Sequence, residues 1–357
     1  MTDVRVLLTA TQLRRRVPGG VGAYVRSLAA ALVEERGIAP SLWTSRGRRG
    51  GEPLSSIGVP IVESRLPVQL LTRAWDRGYC HPPARSDVVH ATSFAVPPRS
   101  RAPMTVMVHD LAWRAFPEAY PERGRRWHED ALERAVDRCD VLFTPSVRTA
   151  NDLVASGVDR ARVEVVPLGV DHLPDPDDGA ARRFLSGLGV QGGFLLAVGT
   201  LEPRKNLARL FAAYERVRGD LPEPWPLVVV GPAGWGAEVA PVDGVVLAGA
   251  VPAPVITALY DRCALFVSVP LMEGFGLPAL EAMSRGAAVV ASAMPSAEEG
   301  TYRVDPVNTA AIAEGILRVA SDEVLRDDLR RRGRRHAQGF TWAACARAHA
   351  AAWKRLA

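Results

Sequence analysis

Lysine is almost missing from this chain of 357 residues. Its 44 basic residues are arginines apart from Lys205 and Lys354. A lysine inside a motif therefore stands out, because a compact ammonium does not substitute for a planar guanidinium. Cysteine is scarce as well. Cys80, Cys139, Cys263 and Cys345 lie far apart, which fits neither a disulfide framework nor a metal-binding motif. They are expected as reduced core residues of a cytoplasmic protein. No run of about 18 apolar residues occurs, so no transmembrane helix is expected. The opening stretch MTDVRVLLTA lacks the long apolar region that follows a basic start in a signal peptide, and it reads as a strand. Charge of one sign is not concentrated either. The net charge of +5 is modest and dispersed, with no basic stripe carrying interleaved aromatics, so nucleic acid is not expected as a partner. The charge leaves open a peripheral contact with an anionic membrane surface at its inner face.

What is present is apolar bulk and glycine-rich turns. At 357 residues with 48% apolar content, two ordinary domains with their own cores are expected. The stretch LMEGFGLPALEAM, residues 271–283, organises the second. It follows the apolar run Leu265–Val269, which reads as a buried parallel strand. Gly274 and Gly276 allow a sharp turn and close approach to a ligand. Pro278 sits where a first helical residue is expected. A helix start of this kind offers free N–H groups and a positive dipole end to an anion. Glu273 and Glu281 bracket it. Carboxylates repel phosphate, so they are better suited to accept hydrogen bonds from hydroxyls. A ligand with both phosphates and hydroxyls is a nucleotide sugar. The competing reading is an ordinary strand–helix turn with acids near a helix N-terminus.

In chain order, Val4–Leu8 reads as a first strand. A basic loop, Thr11–Pro18, leads to GGVGAYV, Gly19–Val25, which opens a helix reaching about Arg36. Its spacing is not that of a dinucleotide fingerprint. Strands are expected at Leu42–Thr44, Pro60–Glu63, Val88–Ala91, Thr105–Val108, Val141–Thr144 and Val163–Pro167. One helix places Leu70, Leu71, Ala74 and Trp75 on a single face, another covers Arg125–Arg138, and Ser146 caps a third. His90 and His109 end two strands, where doubly wound sheets bind ligands. His90 reads as structural and His109, followed by Asp110, as the better site candidate. GVDHLPDPDDG, Gly169–Gly179, reads as an interdomain linker. Its Asp175-x-Asp177 spacing resembles a metal site formally, but a Pro-rich solvated loop explains it better.

A second alternation follows, with strands at Phe194–Val198, Leu227–Val230, Val245–Leu247, Leu265–Val269 and Ala288–Ala291. The rhythm predicts an α/β protein with two Rossmann-type parallel sheets, each covered on both faces. The Arg-rich run Arg326–Arg335 reads as a solvated face. Gly199 begins the loop GTLEPRKNL after the first of these strands, and Arg204 and Lys205 sit on it. Glu273 and Glu281 sit on the loop after the fourth strand. Loops leaving one edge of a parallel sheet line one crevice. Two cations and a glycine-led helix start would then face one diphosphate and neutralise the charge on a departing nucleoside diphosphate. No metal is required for that.

The segments GTLEPRKNL, VVVGPAGWG, ALYDRCALFVSVPLMEGFGLPALEAM and RGAAVVAS, with GGVGAYV, MVHDL and VVPLGVD before them, resemble family 4 retaining glycosyltransferases of the GT-B fold. The E-x7-E spacing of Glu273 and Glu281 is characteristic of that family. TLEPRKN together with GWG is most similar to GDP-mannose-type mannosyltransferases. The resemblance implies two Rossmann-like domains facing across a cleft. An N-terminal acceptor-side domain would span 1–170, a linker 171–190 and a nucleotide-sugar-binding domain 191–338. A final helix, 339–357, would cross back to the first domain.

It also implies roles. Arg204 and Lys205 would bind the donor diphosphate. Glu273, with Gly199, Gly274, Phe275, Gly276 and Leu277, would hold the donor, and Glu281 would accept from the ribose. His109 would lie at the reacting sugar, and Gly20 and Gly22 would approach the diphosphate from the other domain. The implied reaction is metal-independent transfer of a hexose, mannose from GDP-mannose, with retention of configuration. The acceptor would be a saccharide, a lipid-linked molecule or a small molecule, and no cofactor is implied. The chain departs from the family between Ser292 and Asp305. There AMPSAEEGTYRV runs a few residues short, with Glu298, Glu299 and Gly300 as the remnant. A nucleotide-sugar-binding protein that no longer transfers is therefore an alternative, and another enzyme of the GT-B fold, a sugar-nucleotide epimerase, is a separate one.

Overall fold

The structure is a computed structural model that describes residues 3–47, 54–83, 85–236 and 242–357. The loop 46–56 lies partly outside the described residues. The strands are β1 Val4–Thr9, β2 Ile38–Thr44, β3 Ile61–Glu63, β4 Val88–Ala91, β5 Met104–Met107, β6 Val141–Thr144, β7 Val163–Val165, β8 Leu195–Val198, β9 Leu227–Val230, β10 Val245–Gly249, β11 Leu265–Ser268, β12 Val289–Ala291 and β13 Thr301–Arg303. The helices are α1 Gly19–Val33, α2 Val68–Asp76, α3 Ala112–Ala115, α4 Glu122–Arg138, α5 Val147–Ala155, α6 Asp178–Gly187, α7 Leu207–Val217, α8 Ala253–Arg262, α9 Leu277–Ser284, α10 Thr309–Ser321, α11 Glu323–Ala337 and α12 Trp342–Leu356.

The chain divides into two compact units. One comprises Met1–Leu111, Pro121–Gly169 and Thr341–Ala357; the other comprises Ala112–Tyr120 and Val170–Phe340. Helix α12, last in sequence, thus belongs to the first unit.

The first unit holds a parallel sheet in the order β3-β2-β1-β4-β5-β6-β7, and the second one in the order β10-β9-β8-β11-β12-β13. Both are doubly wound. Crossovers run one way from the first strand and the other way from the fourth, so the order reverses between β1 and β4 and between β8 and β11. Strands β8, β9 and β12 are apolar throughout because helices cover both faces, whereas β4, β5 and β6 carry His90, Thr105 and Thr144 among buried apolar residues. LVVV in β9 is buried along its length. In the second unit Leu195, Phe211, Leu227, Leu265, Val290 and Ile316 belong to one core.

Several elements differ from their sequence-based bounds. β2 starts four residues earlier, at Ile38, where it pairs with Val4. Leu70 is half exposed, while its helix buries Leu71 and Trp75. The stretch expected as linker, 171–190, contains α6. Asp177 caps that helix by accepting from the Ala180 N–H at 2.8 Å, so the second aspartate of the D-x-D spacing is a helix cap. Ser146 caps α5 through the Thr149 N–H at 3.2 Å.

Candidate functional site

In a doubly wound sheet the crevice for a ligand opens beyond the carboxyl ends of the strands that flank the reversal of order. In the second unit those strands are β8 and β11. The loop leaving β8 carries Glu202, Arg204 and Lys205, and the loop leaving β11 carries Glu273. The structure brings these residues together. Lys205 Nζ lies 2.5 Å from Glu273 Oε1, and Arg204 Nη1 lies 2.9 Å from Glu273 Oε2. The other arm of the Arg204 fork donates to Glu202 Oε1 at 2.9 Å. All four side chains are largely buried, between 6% and 17% exposed. Two cations and two carboxylates therefore form one compact cluster. Gly199, Lys205, Ser268 and Val269 line the hollow above the strand ends. A Cβ at Gly199 would meet Lys205 Cε at 3.2 Å, so the glycine leaves room for the lysine to fold over the strand end.

Local structure explains the convergence. Pro203–Lys205 forms one tight turn ended by Asn206, a left-handed residue at φ +60°. Asn206 donates through Nδ2 to Val269 O at 3.0 Å and Pro306 O at 2.7 Å. It thus ties the β8 loop to the β11 loop and to the segment after β13. Leu271 N–H donates to Arg204 O at 2.9 Å, and Arg204 Nη1 donates back to Met272 O at 3.0 Å. The two loops are stitched in both directions.

Electrostatics follows from that packing. Burial pushes the Glu273 carboxyl upward. Arg204 and Lys205 outweigh it, by charge and by hydrogen bonds, and bring the carboxyl down to about 2. Glu202 ends above its usual range because burial there exceeds the opposing pull of Arg204 and Lys205. One carboxylate is locked in its charged form while the other is held up by desolvation.

Gly276 begins α9 at φ +100°, with no side-chain cap on the helix start. A Cβ there would meet Met294 Sδ at 2.7 Å. Pro278 is the second helical residue, one position later than expected, because the helix opens at Leu277. Gly274, Phe275 and Leu277 are buried, and the Phe275 ring meets Phe340 at 5.7 Å. Ser296 donates to Gly276 O at 2.9 Å through its hydroxyl and to Phe275 O at 3.0 Å through its N–H. Ser292 Oγ donates to Pro270 O at 2.7 Å. The short segment 292–305 is thus built onto this turn.

Glu281 stands apart from the cation cluster's contacts. Its Oε2 accepts from the Tyr260 hydroxyl at 2.8 Å, and Oε1 faces His172 Nε2 at 3.2 Å. Both oxygens already have partners.

The first unit holds the remaining expected residues. His109 follows β5 and is partly exposed. Its Nε2 bonds Thr92 O at 2.9 Å, and its ring meets Tyr24 edge-on at 5.2 Å. Burial lowers its pKa, against the Thr92 bond and Asp110. Gly20 lies in the first turn of α1 with open space around its missing Cβ, whereas a Cβ at Gly22 would strike Pro18 Cβ at 2.3 Å. Gly22 is explained by its own turn. Glu202, Asn206, Tyr260 and His172 escaped the reading of the sequence. Only Asn206 carried a signal, as an asparagine between a turn and a helix. Among the described residues, no group of three or more His, Cys, Asp or Glu side chains could hold a metal ion, and no helix is long and apolar enough to cross a membrane.

Comparison with known proteins agrees with this geometry. The family Glycosyltransferase Family 4 matches residues 18–172, and Glycosyl transferases group 1 matches residues 193–322. O-antigen chain mannosyltransferase B of Escherichia coli is 28% identical over 284 residues, covering 75% of this chain and 74% of that protein. A D-inositol 3-phosphate glycosyltransferase of Acidothermus cellulolyticus is 29% identical over 375 residues, covering 91% and 83%. Among solved structures, Anabaena HepE in complex with UDP and glucose superposes with a TM-score of 0.75 at 16% identity, covering 99% of this chain and 100% of that one. Sucrose-phosphate synthase from Thermosynechococcus elongatus gives 0.74 at 19% identity, covering 99% of both chains. These likenesses establish the fold.

Proposed function

The chain belongs to the glycosyltransferases that join a family 4 domain to a group 1 domain, and we propose that it transfers a hexose from a nucleotide-sugar donor held by Arg204, Lys205 and Glu273. The observation that carries this is the cluster itself. Two buried cations are neutralised by carboxylates at the strand ends that flank the sheet reversal. A diphosphate entering there offers the cations a stronger partner than Glu273, since guanidinium and ammonium both match phosphate oxygens. Glu273 is then released to accept hydrogen bonds from sugar hydroxyls. The uncapped start of α9 adds N–H groups to the same anion. As the glycosidic bond to the diphosphate breaks, negative charge grows on the leaving oxygen, and the preorganised cations stabilise it.

The donor is GDP-mannose, read from the TLEPRKN and GWG wording and supported by the likeness to a mannosyltransferase. The acceptor is a saccharide or lipid-linked molecule, and transfer retains configuration, with Arg204 and Lys205 supplying the charge neutralisation that a metal provides elsewhere. His109 lies at the reacting sugar. The segment 292–305, although short, is bonded to the Gly276 turn, which supports a formed donor site over a decayed one. The test is thermal-shift screening with UDP, GDP, ADP and TDP, followed by their sugars. GDP and GDP-mannose are expected to give the largest shifts. Equal or absent shifts across the set would overturn the donor assignment.

A further inference from the structure

Beneath His109 the first unit buries an unusual quantity of polar chemistry. His90, Thr105 and His349 are fully buried, as are Tyr24 and Trp353. They form one connected line. Trp353 Nε1 donates to Thr105 Oγ1 at 3.1 Å. Thr105 Oγ1 lies 2.9 Å from His90 Nδ1. His90 Nε2 lies 2.8 Å from the Tyr24 hydroxyl, which lies 3.0 Å from His349 Nε2. His349 Nδ1 lies 2.9 Å from Cys345 O.

The two ends decide the direction of every proton between them. Indole N–H only donates and a carbonyl only accepts. His349 Nδ1 therefore carries a hydrogen, and with His349 neutral its Nε2 accepts from Tyr24. The Tyr24 oxygen accepts in turn from His90 Nε2–H, so His90 Nδ1 accepts from Thr105, and Thr105 accepts from Trp353. His349 Nδ1 also lies 3.7 Å from Cys345 Sγ, and every group along the line has a partner, the condition under which a buried polar network holds a unique geometry. It starts and ends on α12 and passes through α1, β4 and β5.

We infer that this directional chain makes Tyr24 a positioning residue for His109, so that α12, the last helix, sets the geometry of a site residue on the β5 loop. The inference rests on the reading that His109 lies at the reacting sugar. The Tyr24 ring meets the His109 ring edge-on at 82°, and the other side of His109 is fixed by Thr92 O. Thr92 is itself tied to Thr9 of β1 through its N–H at 3.0 Å and its hydroxyl at 2.6 Å. Tyr24 has no freedom of its own, because its hydroxyl is held on both sides by histidines. The titratable neighbours of the chain are Cys345 beside Tyr24 and His109 beside His90. Burial first, and then His349 and His109, lower His90 well below the ordinary histidine range; burial brings His349 to about 4.

The experiment is 15N NMR of histidine in the full chain, with kinetics on three variants. His349 is expected as the neutral Nδ1–H tautomer and His90 as the neutral Nε2–H tautomer, both titrating below the ordinary histidine range. Tyr24→Phe keeps the ring and removes the hydroxyl. It is expected to shift the His109 resonances and titration and to lower kcat about tenfold, with donor KM changed less than about twofold. His349→Gln can accept from Tyr24 and donate to Cys345 O, and is expected to behave as the parent does, whereas His349→Ala is expected to match Tyr24→Phe. The inference is overturned if the two tautomers are the reverse, if Tyr24→Phe leaves His109 unmoved, or if Gln and Ala at 349 behave alike. Loss of none of the transfer activity in His109→Ala would overturn the reading of His109, and the NMR outcome would stand apart from it.

Discussion

Replacing Glu273 by Gln removes one charge from the cluster and changes little else in size. The carboxyl is held at about 2 against an ordinary 4.5, which corresponds to about 3 kcal/mol of interaction favouring the charged, folded form. The side chain is 13% exposed and its partners 13% and 17%, so water screens this little. Glu202 still pairs with Arg204, while Lys205 loses its carboxylate, so the expected loss stays near about 3 kcal/mol, at the low end for breaking a buried pair. The sign is fixed by the direction of the shift. A depressed carboxyl contributes fully above the unfolded value and loses its contribution as pH falls through the folded value. Urea denaturation is therefore expected to show Glu273→Gln about 3 kcal/mol less stable at pH 7, with the gap closing between about pH 4.5 and about pH 2. The same substitution leaves the two cations undercompensated, so calorimetry is expected to show a nucleoside diphosphate binding at least about tenfold tighter, while sugar transfer is lost. Equal stability at pH 7, a gap that persists unchanged at pH 2, or weaker diphosphate binding would show that Glu273 does not neutralise these cations.

Lys205→Ala is expected to lower kcat/KM about 100- to 1000-fold, measured as release of nucleoside diphosphate, because it removes charge stabilisation from the leaving group. Gly276→Ala forces a Cβ onto Met294 at a left-handed position; urea denaturation is expected to show a loss of at least about 2 kcal/mol. Asp175→Ala is expected to leave transfer within about twofold, because the residue sits in the Pro-rich stretch before α6, outside the cation cluster; a large loss in the same assay would revive a metal reading of the D-x-D spacing.

Much of the architecture was legible because buried parallel strands write themselves as short apolar runs. VLFT, LVVV and LFVS needed no neighbours to be recognised, and their alternation with helices implied doubly wound sheets. The Glu273–Glu281 spacing and the Arg204–Lys205 pair were legible for a related reason: unusual residues sat at strand ends. The structure then separates them. Glu273 joins the cations, while Glu281 is occupied by Tyr260 and His172, a pairing with no local signal because Tyr260 lies on another helix. β13 was missed because TYR is short, polar and at a sheet edge, so apolar periodicity is silent there. Helix α6 hid behind prolines and acids, one of which, Asp177, is its own cap. The buried line through His90 and His349 left no trace either. His349 sits in an Ala- and Arg-rich helix, and its partners are up to 325 residues away.

The most direct measurement is a crystal structure of this protein with a nucleoside diphosphate bound. Phosphate oxygens are expected within about 3.2 Å of Lys205 Nζ and the Arg204 guanidinium, beside the start of α9, with the Lys205–Glu273 contact opened. A diphosphate seated elsewhere, with Lys205 and Glu273 still paired, would contradict this.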